Sequence, residues 1–204
     1  MKLGVLCSGS GTNLQAILDA ITAKTLAAEV VIVISNVSTA KALDRAKASG
    51  TRTAFVDHKA FSNREAFDAA LVSMLKAEGV DCVVLAGFLR LLTPTLLGAF
   101  SDRVVNVHPA LLPAFPGLNA QKQAFDYGVR VTGCTVHLVD AGMDTGPILA
   151  QAAVSREDAD TEETLKARIL EQEHVLLPKV LQWMAEGRLV VDHAGPRAQA
   201  RIRA

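Results

Sequence analysis

An asparagine and a histidine at the end of an apolar run are the residues best suited to chemistry. Asn106 and His108 close the run Arg103-Val104-Val105-Asn106-Val107-His108, which Pro109 follows. Side chains alternate along a strand, so the amide and the imidazole are predicted to project from one face. Together they could stabilise an oxyanion and move a proton. The alternative is that the histidine is only a hydrogen-bonded structural group and the asparagine only shapes a turn.

A carboxylate later in the chain could complete this pair. Asp144 lies in Gly142-Met143-Asp144-Thr145-Gly146-Pro147, where glycines on both sides permit a loop that returns to the imidazole. A nearby negative charge favours the protonated form of histidine, so we expect Asp144 to raise the pKa of His108. Asn106, His108 and Asp144 are therefore the predicted catalytic residues.

A glycine-containing loop, Ser8-Gly9-Ser10-Gly11-Thr12-Asn13, follows the first apolar run. Backbone N–H groups at the start of the next helix could hold a phosphate, and we expect Thr12 or Asn13 to be the N-cap. The loop has no Gly-Lys-Ser/Thr of a Walker loop, and Leu14 replaces the third glycine of the dinucleotide fingerprint. A tight turn that serves packing alone is the alternative.

Three further features are candidates for a site. Gly87-Phe88-Leu89-Arg90-Leu91-Leu92 suits a flat heterocycle beside a guanidinium, although it could equally be a core connection with Arg90 in solvent. Glu173 lies on or beside an apolar helix face and needs a polar partner, either a substrate or an arginine. His137 could support the catalytic groups, but we favour a structural role for it.

Short apolar runs alternate with helical patterns along the first half of the chain. We predict strands at 2–7, 30–34, 81–86 and 104–107, and helices at 14–21, 40–48 and 65–77, the last opened by Asn63. This alternation predicts an α/β fold with a doubly wound, mostly parallel sheet. Loops that follow parallel strands meet at one edge of the sheet, where ligands bind.

The second half has a different character. An irregular loop is expected after Pro109, then late strands at 132–139 and 147–155. A long helix should follow, with Asp160 as its N-cap and Glu163 in a capping box. Pro178 is expected to bend this helix or end it.

Composition excludes several classes of protein. The 204 residues are 50% hydrophobic without a linker-like stretch, which indicates one compact domain over 1–204. Lys plus Arg equals Asp plus Glu at 21 each, so we expect neither nucleic acid nor membrane as a partner. No apolar run reaches the ~18 residues of a membrane span, and no signal-peptide pattern is seen, so we expect a cytoplasmic protein. The three cysteines are far apart and lack zinc-site spacing, so no metal is expected.

Four of these segments together resemble the phosphoribosylglycinamide formyltransferases, the glycinamide ribonucleotide transformylases of purine synthesis. They are residues 8–15, 85–90, 106–113 and 140–147. The resemblance implies a Rossmann-like formyltransferase fold, with a phosphate-binding half at about 1–100 and a catalytic and folate-binding half at about 101–195. It implies 10-formyltetrahydrofolate as the formyl donor, the amine of N1-(5-phospho-D-ribosyl)glycinamide as the acceptor, and no metal. Both a monomer and a homodimer are compatible with it.

The resemblance also assigns roles position by position. It implies that the ribonucleotide contacts Gly11, Thr12, Asn13, Leu170, Glu171, Gln172 and Glu173. It implies that the folate contacts Arg64, Leu89, Arg90, Leu91, Leu92, Asn106, Asp140, Ala141, Gly142, Met143 and Asp144. Asn119 and Gln121 depart from the family, whose members often carry histidine there.

Other activities compete with this interpretation. A formyl-folate hydrolase is expected to carry an additional N-terminal domain, and a methionyl-tRNA formyltransferase an additional C-terminal domain and a basic surface. A non-catalytic nucleotide-binding module would leave Asn106, His108 and Asp144 without a purpose. A dehydrogenase is disfavoured because the third glycine is missing and Ser35-Asn36 stands where a ribose-binding acid is expected.

Overall fold

The fold is described from a computed structural model that covers residues 1–195 and 197–203. The chain divides into two compact units, Met1–Asn106 and Val107–Ala204.

The first unit is built on parallel strands. They are β1 (Lys2–Cys7), β2 (Glu29–Ser35), β3 (Arg52–Phe55), β4 (Cys82–Leu85) and β5 (Val104–His108), the last of which continues into the second unit. Their order is β3-β2-β1-β4-β5, and each neighbouring pair is parallel. Val5, Val33 and Val84 are fully buried, as expected for strands covered on both faces. The predicted parallel sheet is confirmed.

Helices connect these strands. They are α1 (Thr12–Thr22), α2 (Lys41–Ala48), α3 (Arg64–Ala77) and α4 (Pro94–Ala99), with a short 3₁₀ helix at His58–Ala60. Right-handed crossovers place α1 and α2 on one face of the sheet and α3 and α4 on the other, because the strand order reverses beyond β1. Accordingly α1 contacts α2, and α3 contacts α4. The sheet is therefore doubly wound.

The observed N-caps of α3 and α1 can be compared with those predicted from the sequence. Asn63 opens α3 as predicted, since its Oδ1 accepts the N–H of Ala66 at 2.8 Å. The prediction that Thr12 or Asn13 caps α1 is wrong, because the N-cap is Gly11, in the left-handed region at φ 72°. A Cβ on Gly11 would lie 2.6 Å from the Cα of Ala42, so glycine permits the close approach of α2.

The second unit contains the late strands. They are β6 (Val131–Leu138) and β7 (Ile148–Ser155), which pair antiparallel, followed by the 24-residue helix α6 (Glu162–Ala185) and an antiparallel hairpin of β8 (Leu189–Asp192) and β9 (Gln199–Ile202). The predicted antiparallel strands and long helix are confirmed. Helix α5 (Ala120–Tyr127) lies where only an irregular loop was expected, between left-handed residues Asn119 and Gly128.

The predicted N-cap of α6 is wrong. Its N-cap is Thr161, whose hydroxyl accepts from Thr164 N–H in a reciprocal capping box, whereas Asp160 accepts hydrogen bonds from Thr164 and Arg168. The helix does not end at Pro178, because burial of that residue among apolar neighbours stabilises the turn that lacks one N–H, and the alternative of a bend there stays a prediction.

The described residues include no helix that is long and apolar enough to cross a membrane. The three cysteines are free and buried. Burial raises the pKa of the Cys7 thiol to about 11 and those of Cys82 and Cys134 to about 12, so all three stay protonated.

Candidate active site

Strand β5 positions the amide and the imidazole. Asn106 is half-buried and His108 is 4% exposed, and their alternation on one strand directs both side chains to the same face. Val105 and Val107 are buried on the other face, which anchors the strand. The strand pattern that was read from the sequence therefore accounts for the placement of this pair.

The His108 ring lies between two hydrogen-bond acceptors. Its Nε2 is 2.8 Å from the carbonyl oxygen of Phe115, and its Nδ1 is 3.4 Å from Oδ2 of Asp144. A neutral imidazole has one N–H, whereas the protonated ring can donate to both acceptors. The surroundings are therefore complementary in geometry to the imidazolium form.

Burial acts against that charge. It lowers the pKa of His108 below 6.5, and it outweighs the Phe115 carbonyl and the Asp144 carboxylate, which both raise it. The neighbouring His137 lowers it further. The expectation that Asp144 would leave the pKa of His108 raised is thus corrected: the carboxylate acts in the expected direction, but solvent exclusion is the larger effect.

Asp144 is held in an unusual backbone conformation. Its φ is 54°, in the left-handed region that non-glycine residues seldom occupy. Its Oδ2 accepts the N–H of Gly117 at 2.8 Å. Burial favours the neutral acid, but hydrogen bonds from His137 and Gly117 and the charge of His108 together lower the pKa of Asp144. The site therefore contains a charged carboxylate in a partly dry environment.

His137 belongs to this cluster, although the sequence favoured a structural role. It lies on β6, is 2% exposed, and its Nε2 is 3.6 Å from Oδ1 of Asp144. The two histidines thus face the two oxygens of one carboxylate. The available signal was its place two residues from Thr135 on one strand face, but its partner Asp144 lies in the irregular loop that follows β6, whose path no local pattern predicts.

Glycines fix the loop that carries Asp144. The carboxylate of Asp140 accepts from the N–H of Gly142 at 3.0 Å and from the hydroxyl of Thr145 at 2.7 Å. A Cβ on Gly142 would lie 2.0 Å from the Thr145 hydroxyl, and one on Gly146 would lie 1.9 Å from the carbonyl oxygen of Leu138. Side chains at these two positions would displace the loop.

In the first unit, two loops follow β1 and β4. Residues 9–13 lead into α1, and α2 supports them: Ala42 N–H donates to the Gly9 carbonyl at 3.2 Å, and Arg45 Nε to the Ser10 carbonyl at 2.9 Å. The first N–H groups of a helix have no acceptor within it and point beyond its N-terminus. They are suitable for an anion.

The second loop, 87–92, is fixed at its end by a buried carboxylate that the sequence analysis missed. Asp68 is 2% exposed and accepts from the N–H of Thr93 at 2.6 Å and from its hydroxyl at 2.8 Å. Within the loop, Arg90 lies 5.4 Å above the ring of Phe67, while Leu89 is 70% exposed. The loop thus offers apolar side chains on a fixed backbone.

Comparison with known proteins identifies the family. The Formyl transferase family model matches residues 1–181. The chain belongs to the formyl transferase family.

Relatives and a solved structure agree with this. The chain is 40% identical over 181 residues to phosphoribosylglycinamide formyltransferase of Bacillus subtilis, covering 89% of this chain and 93% of the relative. It is 45% identical to the trifunctional purine biosynthetic protein adenosine-3 of Drosophila pseudoobscura, which matches 92% of this chain, but the chain spans only 14% of that relative's length. The crystal structure of glycinamide ribonucleotide transformylase 1 from Symbiobacterium toebii is 49% identical, with a TM-score of 0.96 over 100% of this chain and 94% of that one. The predicted Rossmann-like formyltransferase fold is confirmed.

The remaining predicted residues of this formyl transferase lie on helices. Arg64 is exposed at the first turn of α3. On α6, Leu170 and Gln172 are half-buried, Glu171 is exposed, and Glu173 is 4% exposed near Cys134, whose pKa it helps to raise. Asn119 and Gln121 flank the start of α5. Their ligand contacts stay predictions.

Proposed function

We propose that this formyl transferase moves the formyl group of 10-formyltetrahydrofolate to the amine of N1-(5-phospho-D-ribosyl)glycinamide, a step of purine synthesis. The observation that carries the proposal is the charged Asp144 carboxylate between His108 and His137, with Asn106 on the strand face of His108. In this arrangement, the Asn106 amide and a protonated His108 can stabilise the negative charge that develops on a formyl oxygen. The names of the relatives described above support the choice of the ribonucleotide as the acceptor.

We propose one formyltransferase domain over residues 1–204. The phosphate of the ribonucleotide would bind at Gly11, Thr12 and Asn13, and the rest of it would contact Leu170, Glu171, Gln172 and Glu173. The donor would contact Arg64, Leu89, Arg90, Leu91, Leu92, Asn106 and the segment from Asp140 to Asp144. Exposed apolar side chains at Leu89 and Leu91 suit a flat ring system, and the guanidinium of Arg90 suits a carboxylate.

The chemistry follows from the charges of the site. The substrate amine attacks the formyl carbon, a carbon–nitrogen bond forms, and the carbonyl oxygen becomes negative. Asn106 donates its amide N–H to that oxygen, and His108 stabilises it as an imidazolium held by Asp144. The bond from carbon to N10 then breaks as a proton passes from the amine to N10, through water. Tetrahydrofolate and the formylated ribonucleotide leave.

No metal is needed in this proposal, because the amide N–H of Asn106 and the positive charge of the His108 imidazolium meet the developing negative charge. Orientation of amine and formyl group can contribute ~7 kcal/mol or more to the lowering of the barrier. His108 needs a proton at this stage although burial disfavours it. A negative oxygen beside the ring would raise its pKa when the charge appears.

The balance of 21 basic and 21 acidic residues supports two small molecules as the partners, without nucleic acid or membrane. We propose a cytoplasmic enzyme, in keeping with a role in purine synthesis.

An absorbance assay of folate release tests the proposed function. The protein is mixed with 10-formyltetrahydrofolate, with and without the ribonucleotide. Release that requires the ribonucleotide, and that His108→Ala abolishes, supports formyl transfer. Equal release without the amine would identify a hydrolase instead, and no release in either mixture would overturn the proposal.

A further inference from the structure

The polar groups of Ser8 form hydrogen bonds with residues outside its own loop. It is the first residue after β1 and is half-buried. Its N–H donates to the Gly87 carbonyl at 3.0 Å, its hydroxyl oxygen accepts the Leu89 N–H at 3.1 Å, and its hydroxyl donates to Oδ1 of Asn36 at 2.6 Å. Two of these three bonds reach the loop 87–92.

The remainder of residues 8–13 is supported differently. Gly9 and Ser10 are held through their carbonyl oxygens by Ala42 and Arg45 of α2. Ser8 is therefore the point at which the loop after β1 is joined to the loop after β4. The two loops meet at the carboxyl edge of neighbouring parallel strands.

Asn36 fixes the direction of the Ser8 hydroxyl. A hydroxyl has one proton, and donation to the Asn36 oxygen leaves a lone pair for Leu89 N–H. The Asn36 amide nitrogen lies 3.4 Å from Nδ1 of His58, so this side chain is itself held on the other side. The chain of bonds from Asn36 through Ser8 to Leu89 is thus preorganised.

In the loop 87–92, Phe88 and Leu92 are buried, whereas the two leucines between them are exposed. Leu89 is 70% exposed and Leu91 is 48% exposed, so their burial contributes little to fixing the backbone. Asp68 holds Thr93 at the far end. Between Phe88 and Leu92, the hydrogen bond from Leu89 N–H to Ser8 therefore helps to fix the backbone that carries Leu89 and Arg90.

We propose that Ser8 is a positioning residue for the folate side of the reaction, although it lies in the loop assigned to the ribonucleotide phosphate. The inference rests on the proposed function for the identity of the two substrates. Loss of the hydroxyl frees the backbone of Leu89 and leaves the N-terminus of α1 in place. Loss of the Ser8 hydroxyl should therefore weaken binding of the folate, whereas the position of Ser8 in the sequence would suggest weaker binding of the ribonucleotide.

Steady-state kinetics of Ser8→Ala test this. The KM for 10-formyltetrahydrofolate should rise about three- to ten-fold, as for the loss of one hydrogen bond, while the KM for the ribonucleotide changes less than about two-fold. Ser10→Ala is the matched control, since it removes a hydroxyl from the same loop, and it should leave the folate KM unchanged. A larger rise in the ribonucleotide KM than in the folate KM for Ser8→Ala would overturn the proposal.

Amide hydrogen exchange gives a second test that needs no substrate. In NMR spectra of the unliganded protein, Ser8→Ala should speed exchange of the Leu89 amide about three- to ten-fold. The Ala42 amide, which donates to Gly9, should keep its rate. An unchanged Leu89 rate would overturn the proposal even if formyl transfer is established. Accelerated exchange in a protein without formyl transfer would retain the coupling and overturn only the proposed function.

Two further variants separate positioning from general loss of structure. Ser8→Thr retains the hydroxyl and should restore the folate KM to near its original value. Asn36→Ala should raise the folate KM in the same direction as Ser8→Ala. The double variant should be no worse than Ser8→Ala, because both residues act through one chain of bonds. Additive losses would contradict a shared chain.

Discussion

The carboxylate of Asp144 lies 3.4 Å from the Nδ1 of His108, on the side of the ring opposite the Phe115 carbonyl. The imidazole is therefore enclosed by two acceptors and at the same time withdrawn from water. These effects oppose each other, since the acceptors favour the cation and burial favours the neutral ring. The resting pKa is below 6.5, and a negative charge on a bound substrate would shift the balance toward the cation.

Removal of the His108 imidazole should affect turnover more than donor binding. We expect His108→Ala to lower kcat by about 100-fold or more, the effect of losing a positioned group that stabilises the developing negative charge, with the Kd of a non-transferable folate analogue changed by less than about three-fold. Rapid kinetics and titration calorimetry would measure the two quantities. Near-normal turnover would remove His108 from the chemistry.

Neutralising Asp144 should lower the pKa of His108. In Asp144→Asn the ring keeps its burial but loses the nearby negative charge, so its titration should move to lower pH. Imidazole proton chemical shifts, followed by NMR against pH, provide the measurement. Asp126→Asn is a suitable control, since Asp126 lies exposed on α5. An unchanged His108 titration in Asp144→Asn would refute electrostatic coupling.

The free energy of unfolding should fall on acidification in two ranges. Unfolded His108 takes up a proton near 6.5, whereas the folded ring does so only at lower pH, so acidification below 6.5 favours the unfolded chain. Asp144 acts in the same direction, since its folded pKa is below 3.8 and its stabilisation is lost as pH falls through that lowered value. Chemical denaturation across pH would show both. His108→Gln should flatten the upper range and narrow the lower one, since the charge of His108 helps to lower the pKa of Asp144, and an unaltered profile would contradict the burial effect.

Substitution of Gly11 should act on the phosphorylated substrate. Gly11→Val places a Cβ 2.6 Å from Ala42 and requires a left-handed φ of 72°, so the N-terminus of α1 must shift. We expect the ribonucleotide KM to rise at least about ten-fold, with a loss of stability of about 2 kcal/mol. Gly9→Ala is the control, because its Cβ would meet nothing within 4 Å. Equal losses for both substrates would indicate misfolding.

Local patterns accounted for the regular elements. Strand β1 was predicted at its observed bounds, and the spacing of Leu14, Ile17 and Leu18 indicated the buried face of α1. Elements with weak local signals were missed, namely β3, α4, α5 and the hairpin of β8 and β9. They are short, so they contain too few residues to show a period.

Local patterns likewise placed some of the site residues together and missed others. Asn106 and His108 could be placed together because two residues of one strand have a fixed relation. The approach of His137 to Asp144 depends on how the loop after β6 folds, and Ser8 and Leu89 are remote in sequence. No spacing rule connects them.

The sequence by itself determined the alternation of buried strands and helices, and with it the edge at which the candidate loops lie, because burial on both faces demands continuous apolar runs. Only the tertiary structure decided the charge state of the candidate site. The pKa of His108 depends on how fully water is excluded and how near Asp144 and His137 come, and segments far apart in the chain supply both effects.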